Sequence, residues 1–386
     1  MLTSCNPVQM ESEREMRSGA KPTVAGLFVG CGGLDLGFQA TGYEIGWANE
    51  WSADAATSYE QLIGHGVVVG DIWDHIEQIP HVEVIVGGPP CQAFSLVGRR
   101  LEDDPRAKLV FAFKQAIERV MPQAFVMENV PGLMASKIDG KRLPIHLAEQ
   151  FTQLGYEVMI LKLVATDFFV PQKRQRVLMV GHRLPRKVFS LIDSVKFAQL
   201  LGDSRLQKPI SVAQALDDLP APLVKGSKAS TAYLTAPHSA YSRLMRRSGQ
   251  PAVTLQSMPT MSVLDREFVR HIPPGGNYTN IPDSVATKRI LSFKATGGRT
   301  TTYGRLHPDK PAYTINTYFN RPNVGANYHH QEDRLITVRE ALRLQSFPDH
   351  FSPCYSNQRS LHMQVGNAVP PLMAQAVAES LRGLFV

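Results

Sequence analysis

The sequence contains no apolar run approaching the ~20 residues that a bilayer-spanning helix needs, so a membrane-spanning helix is excluded as an organising element. Cysteine is sparse. The four present, Cys5, Cys31, Cys91 and Cys354, form no Cys-x-x-Cys pair and no Cys/His cluster at zinc-finger spacing. Neither a disulfide framework nor structural zinc is therefore expected, and no metal is assigned. Low-complexity tracts and internal repeats are missing as well. With 43% hydrophobic and 19% charged residues, the composition is that of an ordinary globular protein. Residues 1–22 are polar, lack the apolar core of a secretory signal and read as a flexible leader. A cytoplasmic location, with the nucleoid included, is the default.

The length of 386 residues allows two or three domains at ~150 residues each. The net charge of +7 permits a polyanionic partner without establishing one. Its distribution says more: between Lys225 and Arg321 there are 14 Lys and Arg against four acids, an excess of ten, so the rest of the chain carries −3. A surface that meets phosphates would concentrate charge in this way, and a merely solvated basic face is the alternative.

From residue 23 to about 184, short β-rich runs alternate with amphipathic stretches. The spacing predicts strands at 24–29, 44–48, 67–69, 82–86, 124–127, 157–163 and 177–180, and helices at 34–40, 53–62, 107–120 and 145–154. Continuous apolar strands joined by helices imply a mostly parallel sheet buried on both faces, hence a doubly wound α/β domain. Ligands in such sheets bind beyond the carboxyl ends of the strands. Residues 185–335 turn to Pro, Gly, Thr, Ser and Arg, with short strand-like pieces such as 313–318, and read as a second, loop-rich domain. Residues 336–386 then supply two helices, 338–345 and 370–384. The last carries Leu372, Ala376, Val377 and Leu381 on one face and is expected to return to the first domain.

The strand ends carry the chemistry. Phe28-Val29-Gly30-Cys31-Gly32-Gly33 is a glycine-rich turn after the first strand, where the backbone can approach a ligand at a helix N-terminus. It is not the dinucleotide fingerprint, because Asp35 stands where the third glycine belongs. Glu50-Trp51 closes the second strand region and Asp71-Ile72 the third. A carboxylate can accept from both ribose hydroxyls, while an aromatic ring and a second acid can address an adenine. Each acid could equally be a helix cap, but the three ends together favour an adenosine-containing cofactor.

The fourth strand runs into Gly87-Gly88-Pro89-Pro90-Cys91. Two prolines hold Cys91 on a stiff support, and a polar setting favours a nucleophile over a small buried hydrophobe. The fifth strand ends in Glu128-Asn129-Val130, and an acid there is costly to bury unless it is paired or protonated. Arg174 and Arg176, two residues apart, enter the strand at 177–180, where one could hold Glu128 and the other a substrate oxygen.

Pro-Pro-Cys-Gln, Glu-Asn-Val and Gln-x-Arg-x-Arg in this order resemble the DNA cytosine-5 methyltransferases of bacterial restriction-modification type. The resemblance continues through Asp104-Pro105-Arg106, Arg339-Glu340, Leu344-Gln345-Ser346-Phe347-Pro348 and the stretch from Gln364 through Asn367 to Pro370. It departs at Gly26, where the family often carries Asp. The resemblance implies S-adenosylmethionine as cofactor, with S-adenosylhomocysteine as product. Phe28, Gly30, Gly32, Gly33, Glu50, Trp51, Asp71, Ile72, Pro90 and Asn367 would bind it. It further implies Cys91 as the nucleophile at cytosine C6, Glu128 as donor to N3, Arg176 on the base at O2 and Arg174 in support of Glu128.

A base stacked in duplex DNA must be flipped out to reach a sheet edge. The loop from Ser95 to Arg100 is expected to close over the DNA with Arg99 and Arg100 on phosphates. Residues 185–335 would then be the target-recognition domain, with Arg299, Arg305 and Arg321 meeting double-stranded DNA. A monomer is expected, as is a separately acting restriction endonuclease. Methylation of RNA is the competing enzyme reading. An amino-methyltransferase lacks support because Cys91 replaces the aromatic of its Pro-Pro-Tyr/Phe pattern, and a non-catalytic DNA-binding scaffold is the reading from another class.

Overall fold

The computed structural model describes residues 21–90, 108–138, 140–246 and 250–385. Cys91, Arg99, Arg100, the Asp104-Pro105-Arg106 motif and residues 1–20 of the leader lie outside them.

Seven strands form one sheet: β1 (Thr23–Leu27), β2 (Glu44–Glu50), β3 (Val68–Val69), β4 (Val84–Gly87), β5 (Ala124–Asn129), β6 (Glu157–Val164) and β7 (Gln175–His182). Across the sheet they lie in the order β3-β2-β1-β4-β5-β7-β6. The first five are mutually parallel, whereas β7 runs antiparallel to both β5 and β6. The fold is therefore the mixed, mostly parallel α/β sheet that alternation of runs predicts. Chain order reverses direction between β1 and β4, the switch point at which a crevice opens in such sheets.

The alternation of buried residues shows why the strands are apolar throughout. Val84 and Val86 belong to the core on one face, with Leu34, Phe38 and Val377, whereas Ile85 packs on the other with Phe113, Phe125 and Phe151. Helices α1 (Gly33–Ala40) and α2 (Ala53–Ile63) cover the first face, and α3 (Lys108–Val120) and α4 (Leu143–Gln153) cover the second.

The final helix, α5 (Pro371–Arg382), packs along α1. Two glycines of α1 permit the approach: a Cβ on Gly33 would stand 2.2 Å from the Val369 carbonyl oxygen, and one on Gly37 2.4 Å from the Gln375 nitrogen. Leu372, Met373, Val377 and Leu381 are buried there, each contributing roughly 1.5–3 kcal/mol. No helix among the described residues is long and apolar enough to cross a membrane.

Three features depart from the sequence pattern. Residues 313–318 form no strand, because side chains take their backbone groups: Ile315 N donates to Gln172 Oε1, and Tyr318 N to Asn316 Oδ1. A third late helix, Gln358–Asn367, starts at an Asn357 cap in a stretch too polar to read as helical. Burial also divides the chain differently from the boundaries at 185 and 335. Phe189, Phe197, Ile210, Tyr241 and Ile315 join the core of the sheet, and a separate small core gathers Met261, Phe268, Ile272, Ile281, Ile290, Tyr328 and Leu335.

Candidate active site

Because β1 to β5 are parallel, their carboxyl ends share one edge, and antiparallel β7 brings its beginning, Gln175 and Arg176, to the same edge. The glycine-rich turn there is left-handed at Phe28 (φ 56°), Gly30 (φ 56°) and Gly32 (φ 91°). Such angles suit glycine and cost a bulky residue such as Phe, so the strain at Phe28 marks a turn imposed by its surroundings.

Those surroundings are hydrogen bonds from the next strand. Val29 N donates to the Asn49 carbonyl at 3.1 Å and Gly30 N to Glu50 Oε2 at 2.9 Å, while Ser52 N donates to Glu50 Oε1 at 2.9 Å. Burial raises the pKa of Glu50, and the N–H groups of Ser52 and Gly30 oppose that rise. Asn49 also donates to the carbonyls of Val68 and Gly70, tying β2 to β3. Nothing in the sequence pattern marks Asn49, whose role depends on three segments meeting.

The structure gathers the cofactor candidates within this frame. The Trp51 side chain is 72% exposed beside the held Glu50, and no described atom lies within 4 Å of the position a Cβ on Gly30 would take. A glycine turn open above Gly30, beside an anchored carboxylate and an exposed aromatic ring, fits an adenosine-bearing ligand. Asp71 does act as a cap, with Oδ1 accepting from Trp73 N, and Ile72 is buried below it. Pro90 is exposed. Asn367 is exposed at the end of its helix, two residues before the Val369 carbonyl that touches Gly33.

At the end of β5, Glu128 is nearly buried and forms an ion pair with Arg176 through Oε1 and Nε. Its other oxygen lies 2.8 Å from where a Cβ on Gly88 would stand, so a side chain there would displace the carboxylate from this position. Asn129 Nδ2 donates to the Pro89 carbonyl at 3.1 Å, fastening the approach to Cys91. The sequence motif singled out Glu128, and the bond from Asn129 shows that its neighbour also serves the site. Cys31, the cysteine inside the glycine turn, is buried, and burial pushes its pKa up to about 12, which disfavours the thiolate.

The ion pair to Glu128 comes from Arg176 and not from Arg174, the residue expected to support it. Arg176 is the partner of Glu128, whereas Arg174 is buried and donates to the carbonyls of Ile315 and Gly366 at 2.9 and 2.8 Å. The reason is local: Arg174 precedes β7 and points towards the segments behind the sheet edge, and only Arg176 lies in the strand beside Glu128. Burial, with Arg176 nearby, lowers the pKa of Arg174 well below its ordinary value.

Arg305 requires a correction as well. It is 8% exposed and donates to the carbonyls of His329 and Ile272, with Asp333 at 3.0 Å, so its guanidinium is taken up in bracing the small core. Arg299 and Arg321 are exposed, and Arg321 lies over the Tyr318 ring at 4.9 Å.

Comparison with known proteins sets this geometry in context. The profile of the C-5 cytosine-specific DNA methylases matches residues 23–383. The chain is 32% identical over 375 residues to the Type II methyltransferase M.NgoFVII of Neisseria gonorrhoeae, covering 95% of this chain and 88% of that protein. It is 30% identical over 378 residues to M.DdeI of Desulfomicrobium norvegicum, covering 93% and 88%. Among solved structures, a protein described as a DNA modification methyltransferase from an E. coli prophage superimposes with a TM-score of 0.71 at 23% identity, covering 95% of this chain and 99% of that one. The S. pombe Dnmt2 methyltransferase does so with a TM-score of 0.61 at 14% identity, covering 95% and 100%. At these identities the two structures speak for the fold alone.

Proposed function

Because the chain belongs to the C-5 cytosine-specific DNA methylases, we propose that it methylates C5 of a flipped-out cytosine in a short duplex DNA sequence, through a covalent adduct of Cys91 with C6. The observation that carries this reading is the Glu128–Arg176 pair, set against Gly88 on the segment that leads into Cys91.

Cytosine C5 is a poor nucleophile. Addition of the Cys91 thiolate to C6, with a hydrogen bond from the Glu128 carboxyl to N3, moves electron density onto C5. Arg176 holds Glu128 in position and offers its guanidinium to the polar edge of the base. S-adenosylmethionine, when bound, supplies the electrophilic methyl group. Glu50, Trp51 and the turn from Phe28 to Gly33 would hold its adenosine portion. Loss of the C5 proton to a base and elimination of Cys91 as the thiolate then restore the aromatic ring. The exposed Arg299 and Arg321 would meet the DNA, as would Arg99 and Arg100 in the loop after Cys91. Protection of host DNA beside a separately encoded endonuclease is the setting in which such a protein acts.

Transfer of labelled methyl groups to duplex DNA and to tRNA, side by side, tests the substrate. The expected result is labelling of DNA alone, and transfer confined to tRNA would overturn it. Duplexes with 5-fluorocytosine at the target test the adduct, because fluorine at C5 blocks the final elimination. A denaturant-stable protein–DNA complex should form with the parent chain and vanish with Cys91→Ala.

A further inference from the structure

The sheet edge contains a buried acid that the proposed chemistry leaves unused. Asp35, in the first turn of α1, is 1% exposed. Its Oδ2 accepts from the Tyr59 hydroxyl at 2.6 Å, and its Oδ1 has no hydrogen-bond partner among the described residues. The carboxyl sits against the bare backbone of Gly26 in β1: a Cβ there would stand 2.3 Å from Asp35 Oδ2 and 2.6 Å from Val29 Cγ1. A side chain at residue 26 would therefore displace the Asp35 carboxyl and the Val29 methyl, and the volume above β1 is filled by a carboxyl from the helix.

The placement bears on the glycine turn from both ends. Gly26 lies just before the turn, and Asp35 belongs to the helix that follows it, whose N-cap is Gly32. Tyr59, the partner of Asp35, has its ring 3.1 Å from where a Cβ on Gly32 would stand, so the hydroxyl–carboxyl bond fixes the ring that floors Gly32. Val29, on the strand side, flanks the same point above Gly26.

We propose that Asp35 is a positioning residue for the cofactor turn, bridging Gly26, Val29 and the Tyr59–Gly32 contact so that residues 28–32 are held in the shape that binds S-adenosylmethionine. The inference rests on the cofactor reading above. It places a carboxyl, delivered from residue 35, in the space where the family often carries Asp at the position of Gly26. A turn pre-shaped in this way binds without the cost of ordering itself.

The test is an exchange of the two residues, read by calorimetric titration with S-adenosylmethionine and by steady-state methylation. Asp35→Ala should weaken binding by on the order of tenfold or more, with the loss falling on KM for the cofactor more than on kcat. Gly26→Asp alone crowds two carboxyls together and should bind as weakly or fail to fold. The double variant Gly26→Asp/Asp35→Ala returns one carboxyl to the same volume while keeping the close approach to Val29 that both variants carry, and should bind at least about threefold more tightly than Gly26→Asp.

Asp35→Asn keeps the shape and the bond to Tyr59 and should bind within about threefold of the parent, whereas Tyr59→Phe removes that bond and serves as the second weakened variant if Asp35→Ala does not fold. Parent-like binding by Asp35→Ala or, failing its folding, by Tyr59→Phe would overturn the proposal, as would a double variant that binds no better than Gly26→Asp. A parent chain that binds no S-adenosylmethionine would instead overturn the cofactor reading, and this proposal with it.

Discussion

Asp35 beneath the glycine turn and Glu340 in the helix Val338–Leu344 are almost equally buried, at 1% and 2% exposure, yet their pKa values move in opposite directions. Burial pushes Asp35 up to about 7, opposed only by the Tyr59 hydroxyl. Burial also pushes Glu340 up, but Arg334 and His329 outweigh it and bring the group down to about 2. The difference separates two regions. At the sheet edge, Asp35 and Glu50 are held by a hydroxyl and by backbone N–H groups, with no cation among the described residues bound to either, whereas the region behind it neutralises its charges internally. There Arg343 pairs with Asp218 and Asp349, and Arg334 with Glu332 and Glu340. Glu128, paired with Arg176, is the sheet-edge acid that follows the second pattern.

Four experiments can break or sharpen this contrast. The largest effect is expected at Glu128: Glu128→Gln should lower kcat by ~10²–10⁴ while the protein melts near the parent temperature, as befits a group that acts on the base. A collapse in stability with kcat per folded molecule preserved would move Glu128 into the structural class. Next is Arg343→Leu, which strands two buried carboxylates and should destabilise the fold by ~3–5 kcal/mol in urea titrations. Unchanged stability would mean that the internal pairing contributes nothing.

A smaller effect separates the arginines of the basic segment. Arg305→Ala should lower the melting temperature and leave the salt dependence of DNA binding alone. Arg321→Ala should do the reverse, reducing the slope of log K against log salt by about 1 if it neutralises one phosphate. Equal slopes for Arg321→Ala and the parent would remove Arg321 from the DNA face.

The smallest effect is a pH dependence. With a folded pKa of about 7 against ~3.9 unfolded, Asp35 keeps a proton in the folded state that the unfolded chain releases. Its contribution to stability therefore falls as pH rises from ~4 to about 7 and is flat above that. Urea midpoints at pH 5 and pH 8 should differ less for Asp35→Asn than for the parent.

The strands and helices of the sheet were legible because burial on both faces leaves a strong pattern: apolar runs such as 84–86 and 124–127 have few other solutions. The sheet-edge acids were legible because each closes such a run. Other features depended on residues far apart in the chain. Asn49 acquires its role from Val29, Val68 and Gly70, and Asn129 from Pro89. Arg305 reads like Arg321, each close to a tyrosine in a polar stretch, and only Asp333 and the carbonyls of Ile272 and His329 turn the first inward. The basic excess between Lys225 and Arg321 consequently overstates the surface available to phosphates. Arg246 also faces inward, on the Tyr233 ring and Asp218.

The order of motifs, the parallel sheet and the membership of the C-5 cytosine-specific DNA methylases follow from the sequence alone, because local apolar periodicity and closely spaced motif residues encode them. Tertiary structure decided which of two neighbouring arginines meets Glu128, which arginine of the basic segment is interior, and that Asp35 fills the space above Gly26. A side chain's charge is written in the sequence, but its partner is set by what packing brings within about 3 Å of it.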